Sequence, residues 1–399
     1  MRKKAMLFLC FLIMTALLTG CWSRRELNDL GIVLGIGIDK SGNEYEVSVQ
    51  IVNPSDISLK KGGGGGRSPI TVYSAKGNTV VEAIRRLTML TPRISYFAHI
   101  RIFILSEELA REGISKTLDY LSRDHEFRTD FYIAIARGTT AKQLLSCLTP
   151  LEKIPANKMY NSLDIAEKEW SPVATIQLDE LIRSVISKGK DPVLTGLRIV
   201  GDQERGNTNA NVEASNPPAN IQVWGLAVFK KDKMIGWLNE TESKGFTDLT
   251  DKLHRTIIEA ACPQGERLAV DVIRSNSTVK GSVNNGKPKV EITIRSEADI
   301  SDVECRINLS RNETIAYLQK EIAATIKHNS EAAVKKAKFL QSDIFGFGEA
   351  IRRANPSYWK TIQNDWEDHF QNLQVDIKAD VKIRRTGTTG DSYLNKLTE

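Results

Sequence analysis

In the first half of the chain, segments in which every second residue is apolar alternate with segments that begin like helices. Over residues 31–53, apolar side chains occupy every second position on either side of the polar turn DKSGNE, which predicts a β-hairpin with one buried face. The segments ITVYSA, IRIFIL and FYIAIAR predict further strands. Capping residues predict helices that begin at Thr79, at Ser106 and at Thr140. Because strands and helices interleave, we expect an α/β domain with a mixed sheet.

The second half combines strands with one long amphipathic helix. A capping box from Ser310 to Glu313 predicts a helix over residues 311–340, which would be roughly 43 Å long at about 1.5 Å per residue. The other predicted elements are helices near 156–187, strands near 193–200, 268–283 and 288–298, a hairpin in IQVWGLAVFKKDKMIGWL and a last strand in VDIKADVKIRR.

A second helical pattern near the C-terminus places aromatic residues on one face. This face comprises Trp359, Ile362, Trp366, Phe370 and Leu373. Such a face either binds a partner or packs into the core of its own domain. The amphipathic spacing favours core packing.

Composition divides the chain into segments. The stretch GDQERGNTNANVEASNPPAN is polar and rich in Gly, Asn and Pro, so it is the best candidate for a boundary or a large surface loop. The predicted fold class is α/β (mixed α+β), with several domains and mixed sheets flanked by helices. We predict a signal peptide at 1–20, a lipid anchor and short tether at 21–30, an N-terminal α/β domain at 31–200, a linker or surface loop at 201–219, and a C-terminal α/β region of one or two domains at 220–399.

The N-terminus has the three parts of an export signal. The positive MRKK precedes an apolar core of 14 residues from Ala5 to Leu18, which is shorter than the roughly 20 residues that span a bilayer. Leu18-Thr19-Gly20-Cys21 matches the lipobox of bacterial lipoproteins. We therefore predict cleavage after Gly20, with diacylglycerol and N-acyl lipid on Cys21. The alternatives are an uncleaved signal anchor and a chance cysteine.

The predicted tether after Cys21 is short. About ten positions separate Cys21 from the first strand-like residues, Gly31 and Ile32, which allows an extended reach of at most roughly 35 Å. A capping box from Ser23 to Glu26 would start a short helix there and reduce the reach to about 15 Å. We expect the folded body to lie close to the bilayer.

Charge gives no sign of a polyanionic partner. The formal net charge is +6, and the predicted signal peptide carries three basic residues and no acidic ones, so its removal leaves +3. This balance predicts no nucleic acid as a partner.

Gly35-Ile36-Gly37 begins like a dinucleotide-binding fingerprint. Lys40 occupies the position of the third glycine, and the predicted hairpin follows where the fingerprint needs a helix. We favour close packing of these glycines beneath another element.

Other catalytic motifs fail at a required position. The stretch KGGGGGRS at 61–68 lacks the lysine of a phosphate loop, so we interpret it as a flexible loop without an assigned role. His125 and Glu126 begin like a zinc-protease helix, but Thr129 takes the place of the second histidine. Asp124 and His125 are interpreted as a solvated surface pair. Since no Gly-x-Ser-x-Gly motif occurs either, we predict no enzymatic activity, no catalytic residue, no cofactor and no metal site.

Three cysteines remain once Cys10 is removed with the leader and Cys21 is acylated. Cys147, Cys262 and Cys305 have neither the spacing of a zinc site nor an even count. The apolar surroundings of Cys147 and Cys305 are typical of small buried residues, and one disulfide with Cys262 stays open.

Four segments spread along the chain resemble a known family. GCWSRRELNDLGIVLGIGIDK, HIRIFILSEELAREGI, VWGLAVFKKDKMIGWL and DIFGFGEAIRRANPSYWKTIQNDWEDHF are similar to the Ger(x)C family of spore germination lipoproteins. These proteins are the C subunits of nutrient germinant receptors in endospore-forming bacteria. The five-glycine loop at 62–66 departs from the resemblance as a local elaboration.

The resemblance implies a location, partners and a fold. It implies a lipoprotein on the outer face of the spore inner membrane, assembled with a membrane-embedded A subunit and a transporter-like B subunit, and built from several α/β domains of unusual topology. Cys21 is the residue whose role carries over. Direct binding of a small-molecule germinant stays open. The alternative is a solute-binding lipoprotein that presents a nutrient to a membrane partner, typically with a longer tether and two lobes around a cleft.

Overall fold

The protein folds into two mixed β-sheets covered by helices. The structure is a computed structural model that describes residues 2–6, 8, 29–53, 68–262 and 265–387. Within these residues one sheet has nine strands and the other has four. The predicted mixed α/β class is confirmed. None of the helices in the described ranges is both long enough and apolar enough to span a bilayer.

The larger sheet is parallel in its middle and antiparallel at both sides. Its strands are β1 (Leu30–Ser41), β2 (Glu44–Val52), β3 (Ile70–Gly77), β4 (Ile94–Tyr96), β5 (Ile102–Ser106), β6 (Tyr132–Ala136), β7 (Val193–Gly201), β8 (Ala219–Lys230) and β9 (Lys233–Leu238). The order across the sheet is β3-β2-β1-β5-β6-β7-β8-β9, and the short β4 also pairs with β1. β1, β5, β6 and β7 are mutually parallel, whereas β2, β3, β8 and β9 pair antiparallel with their neighbours.

Helices connect these strands as the capping residues predict. They are α1 (Val80–Leu87), α2 (Glu107–Glu112), α3 (Ser115–Arg123), α4 (Ala141–Ser146), α5 (Pro155–Glu169), α6 (Leu178–Ile186), α7 (Gln203–Gly206) and α8 (Ala210–Glu213). The side chains of Thr79, Ser106 and Thr140 each accept a hydrogen bond from a backbone N–H in the first turn, so these three caps are confirmed. The helical region after Ser106 is divided into α2 and α3 at Gly113, whose φ is 137°.

The central strands of the larger sheet separate two apolar cores. In β5, Phe103 and Leu105 enter the first core, and Ile102 and Ile104 enter the second. The helices α1, α2, α3 and α6 pack into the first core, and α4 and α5 pack into the second. Because alternate side chains of these strands point to opposite faces, the sheet forms the middle of three layers, with helices packed on each face.

β1 is buried on both faces, so the prediction of a hairpin with one buried face is wrong. The pairing of β1 with β2 shifts by one residue between Val33 and Gly35. Because a bulge changes the face to which later residues point, Val33 and Ile36 both lie in the first core while Leu34 packs against the second. After the bulge, Ile36 and Ile38 face the first core, and α4 covers the opposite face at Gly35 and Gly37.

The two glycines of β1 allow α4 to approach the strand. A Cβ on Gly35 would lie 2.6 Å from Leu145 Cδ2, and one on Gly37 would lie 2.7 Å from Ala141 Cβ. Any larger residue would displace the helix. The interpretation of these glycines as close-packing positions is confirmed.

The polar stretch 201–219 connects two adjacent strands of one sheet. β7 and β8 pair antiparallel, and the segment between them carries α7 and α8. The buried amide of Asn211 donates to the carbonyls of Leu148 and Ala219, which holds this connection against the second core. The larger sheet therefore contains strands from both sides of this stretch, and the division into domains stays a prediction.

The smaller sheet forms the C-terminal part with a long helix. Its strands, in sheet order, are β10 (Thr256–Ala261), β11 (Arg267–Asn284), β12 (Lys287–Val303) and β13 (Gln374–Arg385), and its helices are α9 (Glu240–Leu249), α10 (Asn312–Leu340), α11 (Phe347–Ala354), α12 (Pro356–Ile362) and α13 (Trp366–Gln371). The long helix predicted over 311–340 is α10, with 29 residues. Its N-cap is Arg311, without a side-chain capping bond, and not the predicted Ser310.

The C-terminal aromatic face belongs to two short helices. The predicted single helix is wrong because the chain leaves helical geometry between Ile362 and Trp366, which separates α12 from α13. Trp359, Trp366 and Phe370 are buried in the first core. The prediction of core packing is therefore confirmed.

Gly37→Ala tests the contact between β1 and α4. The added methyl group would lie 2.7 Å from Ala141 Cβ and 3.2 Å from its backbone carbonyl carbon, so the helix must move. We expect the free energy of unfolding, measured by urea denaturation, to fall by about 1–3 kcal/mol.

Gly236→Ala in β9 is the matched control. A methyl group there would meet only side-chain atoms of Leu340, the nearest at 3.2 Å, and these can rotate away. Equal losses of stability in the two variants would contradict the close packing of α4.

Candidate functional site

The predicted lipid-attachment residue lies outside the described part of the chain. Gly20 and Cys21, at the predicted cleavage point, precede Asp29, where the described body begins. The five-glycine loop at 62–66 also lies outside the described residues. The structure does show the end of the fold that the predicted tether would join.

The predicted tether would join at one end of the larger sheet. β1 and β4 run parallel from the same end, with Leu30 opposite Ile94 and Ile32 opposite Tyr96. We call this end, formed by Leu30–Ile32 and Ile94–Tyr96, the tether edge. Nine residue steps separate Cys21 from Leu30, which allows at most about 30 Å of extended chain.

The opposite end of β1 holds the N-terminus of α4. The carboxylate of Asp39 accepts hydrogen bonds from the backbone N–H groups of Ala141 at 2.8 Å and Lys142 at 3.0 Å. Burial raises the pKa of Asp39, and these two bonds oppose the rise. The segment GIGIDK thus packs against α4 and binds its N-terminus. This structural role accounts for the glycines that partly match a nucleotide fingerprint.

The cysteines fall into two classes. Cys262, after β10, and Cys305, after β12, form a disulfide with their Cα atoms 6.5 Å apart, which decides between the alternatives that the sequence left open. Cys305 is buried, as its apolar surroundings predict, and the β10–β11–β12 pairing brings the two strand ends together. Cys147 is a free buried thiol, and burial raises its pKa to about 11, which disfavours the reactive thiolate.

The His-Glu pair lies on the surface between α3 and β6. His125 is exposed, and the neighbouring Asp124 accepts hydrogen bonds from the Tyr120 hydroxyl and the Glu126 backbone. In the ranges that the structure covers, no three His, Cys, Asp or Glu side chains are grouped to hold a metal ion.

The most highly bonded buried carboxylate is Asp343, between α10 and α11. Its Oδ1 accepts hydrogen bonds from the backbone N–H groups of Gly346 and Phe347. Its Oδ2 accepts one from the backbone N–H of Gly348 and one from the indole N–H of Trp366. All four distances lie within 2.7–3.0 Å. Burial raises the pKa of Asp343 to about 7, while the donated bonds favour its charged form.

Asp343 also connects the two sheets through Asp191, in the loop before β7. The backbone of Asp191 donates to the Asp343 carbonyl at 2.8 Å, and the Asp191 carboxylate accepts from the Asp343 backbone at 3.1 Å. Close by, a Cβ on Gly348 would lie 2.6 Å from the Cα of Gly189. We call this set, Asp343, Asp191, Gly189, Gly348 and Trp366, the Asp343 junction.

A cavity of about 270 Å³ lies beside the Asp343 junction. Its walls combine the rings of Phe246 and Phe345 with the cationic side chains of Lys190 and Arg353 and with Asp191 and Asp251. Lys252 in the wall is ion-paired with Glu180 at 3.0 Å. Apolar walls with a few cations can hold a small solute that carries a carboxylate, although the volume lies just below the range of about 300–1,000 Å³ usual for ligand pockets.

The sequence interpretation missed the Asp343 junction. The available signal was the spacing in SDIFGFGEA, where an aspartate precedes two glycines at the start of a helix, as in backbone anion-binding turns. Asp191 and Lys190 carry no comparable signal, because their partners lie more than 150 residues away in the chain.

Asp343→Asn tests the Asp343 junction. An amide cannot accept at both oxygen positions, so its NH₂ group would face two N–H donors. We expect the free energy of unfolding to fall by about 2–4 kcal/mol in urea denaturation monitored by tryptophan fluorescence. Asp365→Asn, at an exposed residue beside α13, is the control and should change it by less than about 0.5 kcal/mol. A tolerated Asp343→Asn would contradict the structural role.

Both halves of the chain match known families. Residues 23–199 match the family described as "Spore germination protein N-terminal domain", and residues 224–387 match "Spore germination B3/ GerAC like, C-terminal". Spore germination protein KC of Bacillus subtilis (strain 168) is 34% identical over 394 residues, which cover 97% of each chain. Spore germination protein GerQC of Bacillus cereus is 22% identical and covers 96% of this chain and 99% of its own.

A solved structure shows the same fold. The crystal structure of the GerBC protein aligns with a TM-score of 0.52 and 15% identity, and covers 88% of this chain and 96% of its own. The family matches in both halves, and a relative that is 34% identical along nearly its whole length, show that the chain belongs to the Ger(x)C family of spore germination proteins.

Proposed function

We propose that this chain is a lipoprotein subunit of a spore nutrient germinant receptor, required for receptor assembly or signalling. The observation that carries the proposal is the similarity along the whole chain to spore germination proteins, which includes both halves of the fold. Because the match covers both halves of the chain, it supports a germination role for the whole protein and not for a single shared domain.

The anchor in this proposal is the acylated Cys21. A leader with an apolar core of 14 residues, followed by Leu18-Thr19-Gly20-Cys21, supports export and lipidation. Two or more acyl chains hold a protein firmly where one chain binds reversibly, since each buried methylene contributes about 0.8 kcal/mol. The proposed location is the outer face of the spore inner membrane.

Close confinement is the physical consequence of the proposed anchor. The tether allows at most about 30 Å between Cys21 and Leu30, so the body stays in a thin layer beside the membrane. This confinement raises its effective concentration near the proposed partners, the membrane-embedded A and B subunits. No nucleic acid is expected as a partner.

The proposed role is docking without catalysis. The most perturbed carboxylate of the Asp343 junction uses both oxygens on backbone and indole donors, which is a structural use. The free thiol of Cys147 is buried with a raised pKa, which supports a packing role. Neither observation requires a cofactor.

Cys21→Ala tests the proposed anchor. Without the thiol the precursor cannot be acylated, so we expect the leader to remain and the chain to be lost from the assembled receptor. Mass spectrometry of the N-terminal peptide, co-purification of the A and B subunits, and the germination response of spores to nutrients measure the three steps.

Cys10→Ala is the matched control, because it removes a leader thiol and leaves the lipobox intact. It should be processed, acylated and assembled like the unaltered chain. Normal assembly of an unlipidated Cys21→Ala protein would refute the role of the anchor, and a bare N-terminal thiol in the unaltered protein would refute lipidation.

A second candidate function is the presentation of a small nutrient to a membrane partner. The cavity beside the Asp343 junction favours it, since Lys190 and Arg353 face a space bounded by Phe246 and Phe345. Such walls suit an amino acid whose carboxylate meets a cation and whose side chain meets a ring.

Lys190→Ala measures the second candidate. If the cavity binds amino acids, calorimetry should show binding to the unaltered protein and at least about tenfold weaker binding to the variant, the loss expected from one charge-assisted hydrogen bond. Lys188→Ala, whose amine donates instead to Asn364, is the control. Absence of binding to the unaltered protein across amino acids and sugars would contradict this candidate.

A further inference from the structure

The loop between α1 and β4 presents large apolar side chains to solvent. Met89 is 76% exposed, Leu90 is 53% exposed and Ile94 is 50% exposed. We call these three residues the apolar loop. Other exposed apolar side chains, such as Phe339 at the end of α10, lie elsewhere on the surface, and scattered single residues of this kind are ordinary.

The apolar loop has a defined backbone. The N–H groups of Leu90 and Thr91 both donate to the carbonyl of Leu87, whose side chain is buried in the first core. The Thr91 hydroxyl then donates to the carbonyl of Arg93 at 2.7 Å. The loop is therefore held by the fold in a conformation that exposes apolar residues.

The apolar loop lies at the tether edge. Ile94 is the pairing partner of Leu30, the first residue of β1, and a Cβ on Gly31 would lie 3.6 Å from Arg93 Cβ. β1 extends beyond β5 here, because β5 begins opposite Gly35, five residues or about 16 Å further along the strand, whereas the pairing with β2 reaches Val33. The loop thus lies at the end of β1 where the predicted tether would enter.

Three arginines are exposed near the loop, Arg85, Arg86 and Arg93, and Arg86 is ion-paired with Glu82 at 2.6 Å. Asp29, which precedes Leu30, is an exposed acidic residue at the same end of β1. Neither Arg85 nor Arg93 takes part in an ion pair within the described residues. Apolar side chains flanked by arginines match the interface of an anionic bilayer, where acyl chains lie beneath phosphate groups.

We propose that the apolar loop inserts into the interface of an anionic bilayer, with Arg85 and Arg93 against lipid phosphates. This inference rests on the proposed lipid anchor, which brings the tether edge within about 30 Å of the membrane. The anchor sets the distance of the body from the bilayer, and the apolar loop sets its orientation. A lipid surface is favoured over a protein partner because the short tether places this edge nearer the membrane than the rest of the sheet.

A fluorophore at Leu90→Cys tests the proposal in the lipidated mature protein. The new thiol is selectively reactive because Cys147 is buried, Cys262 is bonded to Cys305 and Cys21 is acylated under the proposed function. In vesicles that contain phosphatidylglycerol, the emission of an environment-sensitive dye at residue 90 should shift to the blue, rise several-fold and be quenched by nitroxide-labelled lipid.

Phe339→Cys provides the matched control. Phe339 is 78% exposed and lies at the end of α10, whose neighbouring Leu340 packs on β9, five strands away from β1 in the sheet order. A dye there should keep an aqueous spectrum. In the same vesicles, Arg85→Glu combined with Arg93→Glu should reduce the shift at residue 90.

The outcomes separate this inference from the proposed anchor. If the protein floats with the vesicles and carries lipid on Cys21, yet the dye at residue 90 reports water, the apolar loop does not contact the bilayer and the inference is overturned. A shift that needs the A and B subunits would also overturn it, in favour of a protein partner. If the protein fails to float and its N-terminal thiol is bare, the anchor itself is refuted.

Discussion

The interaction on which the rest of the structure depends is the burial of one carboxylate among four N–H donors. Asp343 satisfies three orphan backbone donors at the start of α11 and the indole of Trp366, so α11 and α13 are fixed to the end of α10. Its backbone is joined reciprocally to Asp191, in the loop that leads into β7. Asp343 therefore joins the helices of the C-terminal part to the loop that leads into the larger sheet. The first core is continuous across that point, which makes the two sheets one packed body.

The same body is connected to its N-terminus through its central strand. β1 lies in the interior of the larger sheet, carries α4 through Gly37 and Asp39, and begins at Leu30, directly after the predicted tether. A constraint applied at the N-terminal end of β1 would thus act on a strand that is hydrogen-bonded on both sides. This arrangement suits the proposed role of a subunit that an anchor would position beside the membrane and that would act through its surfaces.

Local rules were sufficient for much of this architecture. Capping at Thr79, Ser106 and Thr140, the alternation in β2 and the long stripe of α10 are all set by interactions between residues a few positions apart, and each was predicted. The glycines of β1 were also interpreted correctly, because absent side chains in a buried strand point to a close neighbour. The predictions that were wrong depended on contacts across the fold: the second core that covers the other face of β1, and the break before Trp366. The pairing of Cys262 with Cys305, which the sequence left open, depends on such contacts as well.

The sequence by itself determined the class of the fold and most of its elements, because periodicity and capping are local properties of a chain, and it predicts a lipobox around Cys21 from a pattern that is equally local. Only the tertiary structure decided that Asp191 and Asp343 meet and that a cavity opens beside them. It also decided that Met89, Leu90 and Ile94 remain exposed where the tether enters. The physical reason is that burial and pairing between distant residues depend on how sheets and helices pack, and a pattern of neighbouring residues carries no record of that packing.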